Sequence, residues 1–415
     1  MYSPEFTAVP LSCVKIGVIG AGSRMRNVLR LLLGNPAAAK ISITAVYDPD
    51  KDSVRQLRQD LAPEAHICAS AEDLCAREDV DWVFIGSWNS YHAQQSIAAF
   101  KAGKHVFCEK PLALTLEEAR CMRDAQVESN RTFALGLVLR YSPFYRKIRQ
   151  VLDEQTIGRI VSFEFNETLT FNHGGYIHGN WRRKRANAGT HLLEKCCHDL
   201  DLMLWLAEDK PMRVASFGGC AVFTPDNNYL AKRIGPNPDT GRPAYQNWID
   251  PTGINPFNDD KDIVDHQVAI VEFATGIRAT FHTNCNAGID ERRFYVLGTE
   301  GTIRADAMTG VIEVRRIGWD ESPVVYKPIE GNSHAGGDEV MTSELIDVLL
   351  NHVPPAAGFG EGVRSLALAN AIDRSMDLGH IVNLDPTWVE LESIYGPLFG
   401  RGALPQKHSP NNLCQ

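Results

Sequence analysis

The stretch VKIGVIGAGSRM, residues 14–25, decides the fold of the first part of the chain. Residues 14–20 form a nearly all-apolar run of strand length, and residues 27–33 have the apolar pattern of a helix. Glycines at a tight strand-to-helix turn let backbone N–H groups and the helix N-terminus approach a phosphate. The stretch therefore predicts a dinucleotide-binding turn, although Met25 stands where the fingerprint has its third, packing glycine. Its candidate cofactor-binding residues are Gly20, Gly22, Ser23 and Arg24.

Asp48 follows the second predicted strand, Ile41–Tyr47. An acidic residue at this distance can accept hydrogen bonds from both ribose hydroxyls of an adenosine and would repel a 2′-phosphate. Asp48 therefore favours NAD over NADP, although Arg24 and Arg55 could still attract a phosphate. The alternative interpretation of Asp48 is a helix N-cap or turn residue.

Strands and helices continue to alternate beyond this point. Buried strands are predicted at residues 80–86, 105–108 and 132–137, with helical patterns between them. This alternation is typical of a parallel, doubly wound sheet of the α/β class. Such sheets bind ligands over the carboxyl ends of their strands. The residues that follow the strands are therefore candidate cofactor contacts: Ser87, Trp88, Asn89, His92, Glu109 and Lys110.

Lys110 is also a candidate ligand-binding residue. It stands at the carboxyl end of the strand 105–108, and Pro111 biases it towards an extended backbone that keeps the ammonium at the strand end. The alternative is a surface lysine in a strand-to-helix loop.

A second candidate site lies on the helix predicted at residues 190–206. Glu194, His198, Asp201 and Trp205 are spaced four, three and four apart and so share one face. The rest of the helix is apolar, and a buried histidine is the natural group to take a hydroxyl proton near neutral pH. A structural Glu–His–Asp network is the alternative.

The segment before this helix is basic and glycine-rich. Its residues Arg183, Lys184 and Arg185 suggest either an acidic substrate or a solvated loop. Further candidate substrate contacts are Arg140, Tyr176, His178, Lys195 and His198.

The second half of the chain is rich in predicted strands with short connections, which indicates a mostly antiparallel sheet. Residues 224–261 interrupt it with a long, proline-rich segment that could cover the substrate or contact a neighbouring subunit. The predicted domains are 1–138, 139–385 and a carboxy-terminal extension at 386–415, whose residues 406–415 are expected to be frayed.

The composition limits the class of protein. The chain has 415 residues, a net charge of -9 and no apolar run long enough to cross a bilayer, which argues against nucleic-acid and membrane partners. Its ten cysteines have no disulfide framework or zinc-ligand spacing, and no secretory signal is evident. We therefore expect a cytoplasmic protein without a metal site.

Several stretches resemble the glucose–fructose oxidoreductase / inositol dehydrogenase / MocA (Gfo/Idh/MocA) family. They include KIGVIGAGSR, GKHVFCEKPLALTLEEA, GLVLRYSPFYRKI and AGTHLLEKCCHDLDLMLWL. The resemblance implies an NAD-binding Rossmann domain, a carboxy-terminal α+β domain with a large open-faced sheet, and a homodimer or homotetramer formed through that sheet. It also implies that Lys110 is a catalytic residue that hydrogen-bonds the reacting hydroxyl, and that Glu194, His198 and Asp201 correspond to the family's D-x-x-x-H-x-x-D. By the same resemblance, Trp181 and Arg182 are candidate contacts of the cofactor or substrate, and His334 is a candidate substrate contact.

Three departures from the family pattern bear on the site. Glu194 replaces an aspartate, Cys196 replaces a frequent glycine, and Lys195 adds a second ammonium. The expected activity is NAD-dependent hydride transfer at a secondary hydroxyl of a sugar, sugar acid or inositol. The alternatives are an NAD-dependent glycoside hydrolase, which Lys195 and Glu194 would suit, and a non-catalytic sugar sensor.

Overall fold

The computed structural model describes residues 13–246, 253–329 and 334–399. The chain forms two compact units, the first from residues up to 142 together with 336–363, and the second from the remainder. The domain boundaries at residues 138 and 385 stay a prediction. Within the described ranges, no helix has the length and apolar character that a membrane crossing requires.

The first unit is built on a sheet of six parallel strands, in the order β3-β2-β1-β4-β5-β6. This order runs outwards from β1 in both directions, as in a doubly wound sheet, and the predicted α/β fold is confirmed. The strands are β1 Val14–Ile19, β2 Ile41–Tyr47, β3 His66–Ile67, β4 Trp82–Ile85, β5 His105–Cys108 and β6 Phe133–Leu135. The helices between them are α1 Ser23–Gly34, α2 Lys51–Leu61, α3 Ala71–Cys75, α4 His92–Lys101 and α5 Leu116–Ser129.

The register of this sheet brings its strand ends into one row. Ile19 of β1 is paired with Tyr47 of β2 and with Ile85 of β4, and Ile85 is paired with Cys108 of β5. Because the pairing is parallel and level, the next residue of each strand lies on the same edge. This edge carries Gly20, Asp48, Gly86 and Glu109, which come from four separate parts of the sequence.

The second unit contains a nine-stranded sheet in the order β14-β13-β12-β11-β7-β10-β9-β8-β15. Its neighbouring strands are antiparallel except for β7 and β10, so the predicted mostly antiparallel sheet is confirmed. The strands are β7 Ile160–Thr170, β8 Pro211–Gly219, β9 His266–Phe273, β10 Arg278–Ala287, β11 Arg293–Gly298, β12 Gly301–Asp306, β13 Val311–Arg316, β14 Val324–Tyr326 and β15 Val382–Asn383.

The remaining helices complete the two units. Those of the chain from residue 143 onwards are α6 Pro143–Asp153, α7 Phe171–His178, α8 Arg185–Ala188, α9 His191–Ala207, α10 Tyr229–Ile234, α11 Gly337–Asn351, α12 Phe359–Leu378 and α13 Asp385–Tyr395. Helix α11 belongs to the first unit. The predicted carboxy-terminal extension begins with α13, where the buried Trp388 donates from Nε1 to Pro211 O at 2.6 Å. Residues 400–415, with the predicted frayed end, lie outside the described residues.

Helix α7 occupies the glycine-rich segment before α9, where the sequence predicts no helix. A Cβ on Gly174 would lie 1.8 Å from Cys285 O, and a Cβ on Gly175 would lie 2.0 Å from Tyr245 O. Both glycines therefore let the helix pack directly against neighbouring backbone. Tertiary contact overrides the low helix propensity of glycine here.

The long segment 224–261 packs onto its own unit where it is described. Tyr245 and Phe257 join Phe223, Ile177 and Cys285 in a small second core, which we call the satellite core. The rings of Tyr245 and Phe257 are 4.8 Å apart and meet edge to face. A function of this segment as a substrate cover or an oligomer contact stays a prediction.

Phe257→Ala should destabilise the satellite core by about 3–5 kcal/mol, because it removes a fully buried ring and leaves a cavity. Urea unfolding and limited proteolysis of the 224–261 segment measure the change. Trp319→Ala is the control, since this aromatic side chain is fully exposed. Equal stability and protease resistance of the two variants would contradict the assignment of a satellite core.

Candidate active site

The turn after β1 has the geometry that a dinucleotide requires. Gly20 has a φ of +85°, and a Cβ there would lie 2.4 Å from Ser87 N, so only glycine fits. Gly22 is the N-cap of α1 and supplies no side-chain cap, and a Cβ on it would meet nothing within 4 Å. The first turn of α1 therefore lacks a side-chain cap and has open space beside Gly22, which suits a pyrophosphate.

Gly86 explains why the motif tolerates a methionine in place of its third glycine. Met25 is fully buried, and a Cβ on Gly86 would lie 2.9 Å from its side chain. The close packing of helix on strand is retained, but the glycine is contributed by the end of β4 instead of by α1. Sequence reasoning missed this because the two positions are far apart in the chain.

Asp48 is bound to the glycine turn. Its Oδ2 accepts from Ala21 N at 2.7 Å, and its Oδ1 accepts from Asp50 N at 2.8 Å. Burial raises the pKa of Asp48 above its usual value, against these hydrogen bonds. The N-cap of α2 is Asp50 and not Asp48. Of the two alternative interpretations of Asp48, the helix N-cap is therefore wrong, and the turn residue is correct. A carboxylate oxygen accepts more than one hydrogen bond, which leaves Asp48 capacity for a ribose.

His92 connects the turns after β4 and β5. Its ring is buried, with Nδ1 2.8 Å from Pro111 O and Nε2 3.3 Å from Ser87 O. Burial lowers the pKa of His92, so the ring is neutral near pH 7. These contacts make it a residue that holds the turn in place. Of the other candidates here, Asn89 is buried and Trp88 is 42% exposed.

Arg24 and Glu109 form an ion pair at the strand-end edge. Arg24 Nε donates to Glu109 Oε1 at 2.8 Å, and its Nη1 donates to Asp338 Oδ1 at 2.6 Å. Burial disfavours the guanidinium charge, but the two carboxylates outweigh it and raise the pKa of Arg24. The guanidinium is therefore engaged by carboxylates, which disfavours its use for a 2′-phosphate. Arg55 pairs with Asp52 on the surface.

Lys110 follows Glu109, the carboxylate of this ion pair, in the sequence, and its side chain is half-buried. Its peptide bond to Pro111 is cis, and Pro111 O is the atom that lies beside His92. Arg140, a candidate substrate contact, is buried in the short 3₁₀ helix Val138–Tyr141 of the same unit.

Helix α9 confirms the predicted helix of the second unit. Thr190 caps it by accepting from Leu193 N at 3.1 Å, and its hydroxyl donates to Asp373. The side chains of Glu194, His198 and Asp201 are all buried. The candidate substrate residue His334 lies beside this face, with its ring centroid 6.4 Å from that of His198.

Arg182 contacts three candidate site residues, namely Glu194, Trp181 and Tyr176. Its Nε donates to Glu194 Oε1 at 2.9 Å, and its guanidinium carbon lies 4.2 Å from the Trp181 ring centroid and 4.8 Å from that of Tyr176. Cation–π contacts of this kind hold a guanidinium in place. Glu194 is thus one half of an oriented ion pair as well as a neighbour of His198 on the helix.

His178 and the basic run require corrections. His178 is fully buried in the satellite core and stacks on Phe223 with ring centroids 4.1 Å apart, so we remove it from the substrate contacts. Lys184 pairs with Asp260 and Arg185 with Asp377, while Arg183 donates to Asp260 O at 3.0 Å. The two contacts to Asp260 hold the 224–261 segment, and the pair with Asp377 binds Arg185 to α12, so neither the acidic-substrate nor the solvated-loop interpretation describes these side chains.

His173 is a residue of this site that sequence reasoning missed. Its ring lies 5.9 Å from that of Tyr176, one turn further along α7. Burial and the charge of Lys195 lower the pKa of His173 to about 3, which keeps the ring neutral. A short histidine-containing segment with two glycines gives no signal that would have singled it out.

Two models of one protein family match consecutive parts of the chain. The first, an oxidoreductase family with an NAD-binding Rossmann fold, matches residues 14–137, and its C-terminal domain matches residues 145–304. The chain belongs to the Gfo/Idh/MocA oxidoreductase family. It is accordingly an NAD-dependent oxidoreductase, and the open helix N-terminus at Gly22 fits the cofactor that the family implies.

The family members similar to this chain include inositol dehydrogenases. An inositol 2-dehydrogenase of Acidiphilium cryptum is 29% identical over 69% of this chain and 72% of its own length. Another, of Gluconacetobacter diazotrophicus, is 33% identical over 46% of this chain, and the match spans 54% of that protein. A 1,5-anhydro-D-fructose reductase of Ensifer adhaerens is 27% identical over 76% of this chain and 83% of its own length.

A solved structure of levoglucosan dehydrogenase with NADH and levoglucosan has the same fold. It superposes with a TM-score of 0.73 over 90% of this chain and 99% of that protein, at 19% sequence identity.

Gly22→Ala should weaken NAD binding by about tenfold or more, because a Cβ would fill the space left for the pyrophosphate. It should leave the free energy of unfolding within about 0.5 kcal/mol of the parent, since the Cβ meets nothing. Gly20→Ala is the contrasting variant and should destabilise the first unit by about 2 kcal/mol or more. Titration with NAD and urea unfolding separate the two effects. Full NAD affinity of Gly22→Ala would contradict the phosphate site.

Asp48→Ala should lower the ratio of the catalytic efficiency with NAD to that with NADP by about tenfold. The variant loses the hydrogen bonds to the ribose of NAD and the repulsion of the 2′-phosphate of NADP. Asp48→Asn keeps an acceptor for Ala21 N and separates loss of charge from loss of turn geometry. An unchanged ratio in both variants would remove Asp48 from the ribose site.

Proposed function

We propose that this protein oxidises a secondary hydroxyl of a sugar or inositol with NAD, or catalyses the reverse reaction. The observation that carries the proposal is the buried face of α9, where His198 lies one turn from Glu194, itself bound by Arg182. A buried imidazole beside oriented polar groups is suited to general acid–base chemistry at a hydroxyl. The names of the relatives support the substrate class, since they act on inositols and an anhydro sugar.

The proposal gives each residue a step. His198 takes the hydroxyl proton, while the ammonium of Lys110 stabilises the negative charge that develops on the oxygen. Arg182 holds the Glu194 carboxylate in a fixed place on the same helix. Bound NAD supplies the acceptor for the hydride. Gly20, Gly22 and Ser23 would hold its phosphates and Asp48 its ribose; contacts from Ser87 and from Trp181 stay predictions.

The charges favour a neutral polyol over a sugar acid. Arg183, Lys184 and Arg185 contact acidic residues or carbonyl groups of their own unit, so they are poorly placed to receive a carboxylate. Tyr176 and the neutral His173 offer donors and acceptors of the kind that sugar hydroxyls use. We infer that the substrate contacts come from these groups together with Lys195 and His334.

The glycoside hydrolase alternative needs additional proton transfers. Glu194 binds Arg182, and Lys195 Nζ lies 3.9 Å from Glu167 Oε1, so each of the two extra groups faces a countercharge. This arrangement favours the dehydrogenase. Release of an aglycone from an aryl glycoside without net NADH would establish the hydrolase instead, and NAD binding without turnover would establish a sensor.

We also propose a homodimer or homotetramer in the cytoplasm. The nine-stranded sheet exposes large apolar side chains on β8 and β9, among them Phe217, Val268 and Ile270. An exposed apolar sheet face of this kind favours burial against a second copy. The nine cysteines that the structure describes are free, which agrees with a reducing compartment.

Lys110→Ala and His198→Asn should each lower kcat by about 10²–10⁴-fold, since each removes a group that acts on the reacting hydroxyl. NAD affinity should stay within about twofold of the parent, because neither change touches the glycine turn. Steady-state kinetics and NAD titration are the measurements. The matched controls are Lys101→Ala and His66→Asn, which alter exposed side chains. Unchanged turnover in either active-site variant would overturn its assignment.

A further inference from the structure

Arg292 is a buried arginine that binds two buried carboxylates. Its Nε and Nη2 donate to Asp199 Oδ1 and Oδ2, each at 2.8 Å, and its Nη2 also lies 2.9 Å from Glu167 Oε1. All three residues are at most 3% exposed. Charges at this depth persist only when they are paired and hydrogen-bonded. We call this group of three residues the arginine clamp.

The arginine clamp attaches α9 to the middle of the nine-stranded sheet. Asp199 comes from α9, Glu167 from β7, and Arg292 directly precedes β11, which is a neighbour of β7. Cys196 of α9 adds two contacts, because its Sγ lies 3.5 Å from Glu167 Oε2 and 3.5 Å from Thr283 Oγ1 of β10. The helix is thus held by polar contacts to three adjacent strands.

The anchored side of α9 lies away from the side that carries His198. Successive residues of an α-helix are rotated by about 100°, so Cys196 lies roughly opposite both Glu194 and His198, and Asp199 lies about 100° from His198. Two anchors one turn apart fix the rotation of the helix as well as its distance from the sheet. The direction in which His198 points therefore depends on how Asp199 is held.

A metal centre is the competing interpretation of the same residues. Glu167, Cys196 and Asp199 place possible ligand atoms within 4.8 Å of one another. The guanidinium of Arg292, however, already binds both carboxylates. Burial also raises the pKa of the Cys196 thiol well above its usual value, which keeps it protonated and a poor metal ligand. The chemistry of the cluster is that of a clamp.

We propose that Arg292 is a positioning residue of the dehydrogenase, which fixes the rotation of α9 and so the orientation of His198 towards the substrate. This inference rests on the function proposed above. A catalytic group displaced by about 1 Å can cost about a hundredfold in rate. A buried ion pair is often no more stabilising than apolar side chains of similar volume, so stability alone does not explain the arginine clamp. A function in orienting His198 does.

Arg292→Lys is the first test, because lysine keeps the charge but cannot bind two carboxylates in the same fork geometry. We expect kcat to fall by about a hundredfold while the KM for NAD changes less than about twofold. Arg293→Lys is the matched control, since Arg293 is the next residue and pairs with Glu164 at the exposed surface of the sheet. The control should retain kcat within about twofold.

A second readout does not depend on turnover. The protein has 13 histidines, and the His198 imidazole signal of isotope-labelled protein is assigned by its loss in His198→Asn. Arg292→Lys should shift this signal, and Arg293→Lys should leave it in place. If no polyol is oxidised even by the parent protein, the proposed function fails, but the shift still decides whether Arg292 orients His198.

The combined variant Glu167→Gln, Asp199→Asn, Arg292→Met covers the case in which Arg292→Lys does not fold. It removes the buried charges together and avoids leaving a carboxylate unpaired. We expect it to fold, to lose kcat and to show a displaced His198 signal. A folded Arg292→Lys or combined variant with the parent's kcat and His198 signal would overturn the proposal. Failure of both to fold would also overturn it, because the clamp would then serve the fold alone.

Discussion

The level, parallel register of the six-stranded sheet is the constraint on which the cofactor site depends. Because Ile19, Tyr47, Ile85 and Cys108 are paired across neighbouring strands, the residues that follow them occupy one edge. The same register explains the strict need for glycine at Gly20, whose Cβ would collide with the backbone after β4. A shift of one residue between β1 and β2 would separate the glycine turn from the Asp48 carboxylate, which accepts from Ala21 N.

An arginine bound to two carboxylates organises each of the two units. In the first unit Arg24 binds carboxylates from β5 and from the beginning of α11, and in the second unit Arg292 binds carboxylates from β7 and α9. Each guanidinium uses its planar set of donors to bind two acceptors, which a lysine cannot reproduce. In both cases the ion pairs fix segments that carry functional residues, namely the Glu109–Lys110 strand end and the face of α9.

The sequence was sufficient where the signal is local. Apolar runs located five of the six parallel strands, all except the short, exposed β3, and the four-three-four spacing located the face of α9 that carries Glu194 and His198. It was insufficient where the cause is a contact between distant segments. Asp338 binds Arg24 across 314 residues, and Arg292 binds Asp199 across 93, so neither partner could be recognised from its neighbours. The helix α7 is a third case, because its glycines are explained only by the carbonyl groups packed against them.

Hydride transfer from a polyol carbon to NAD is the reaction proposed for this protein, and one isotope experiment tests it directly. An inositol or sugar that carries deuterium on its hydroxyl-bearing carbons is incubated with the protein and NAD, and the nicotinamide and any released aglycone are analysed by mass spectrometry. We expect one deuterium in each NADH formed, and an amount of NADH equal to that of the ketone product. Aglycone release from a glycoside without net NADH, or recovery of NAD without deuterium after exposure to the full set of polyols, would contradict it.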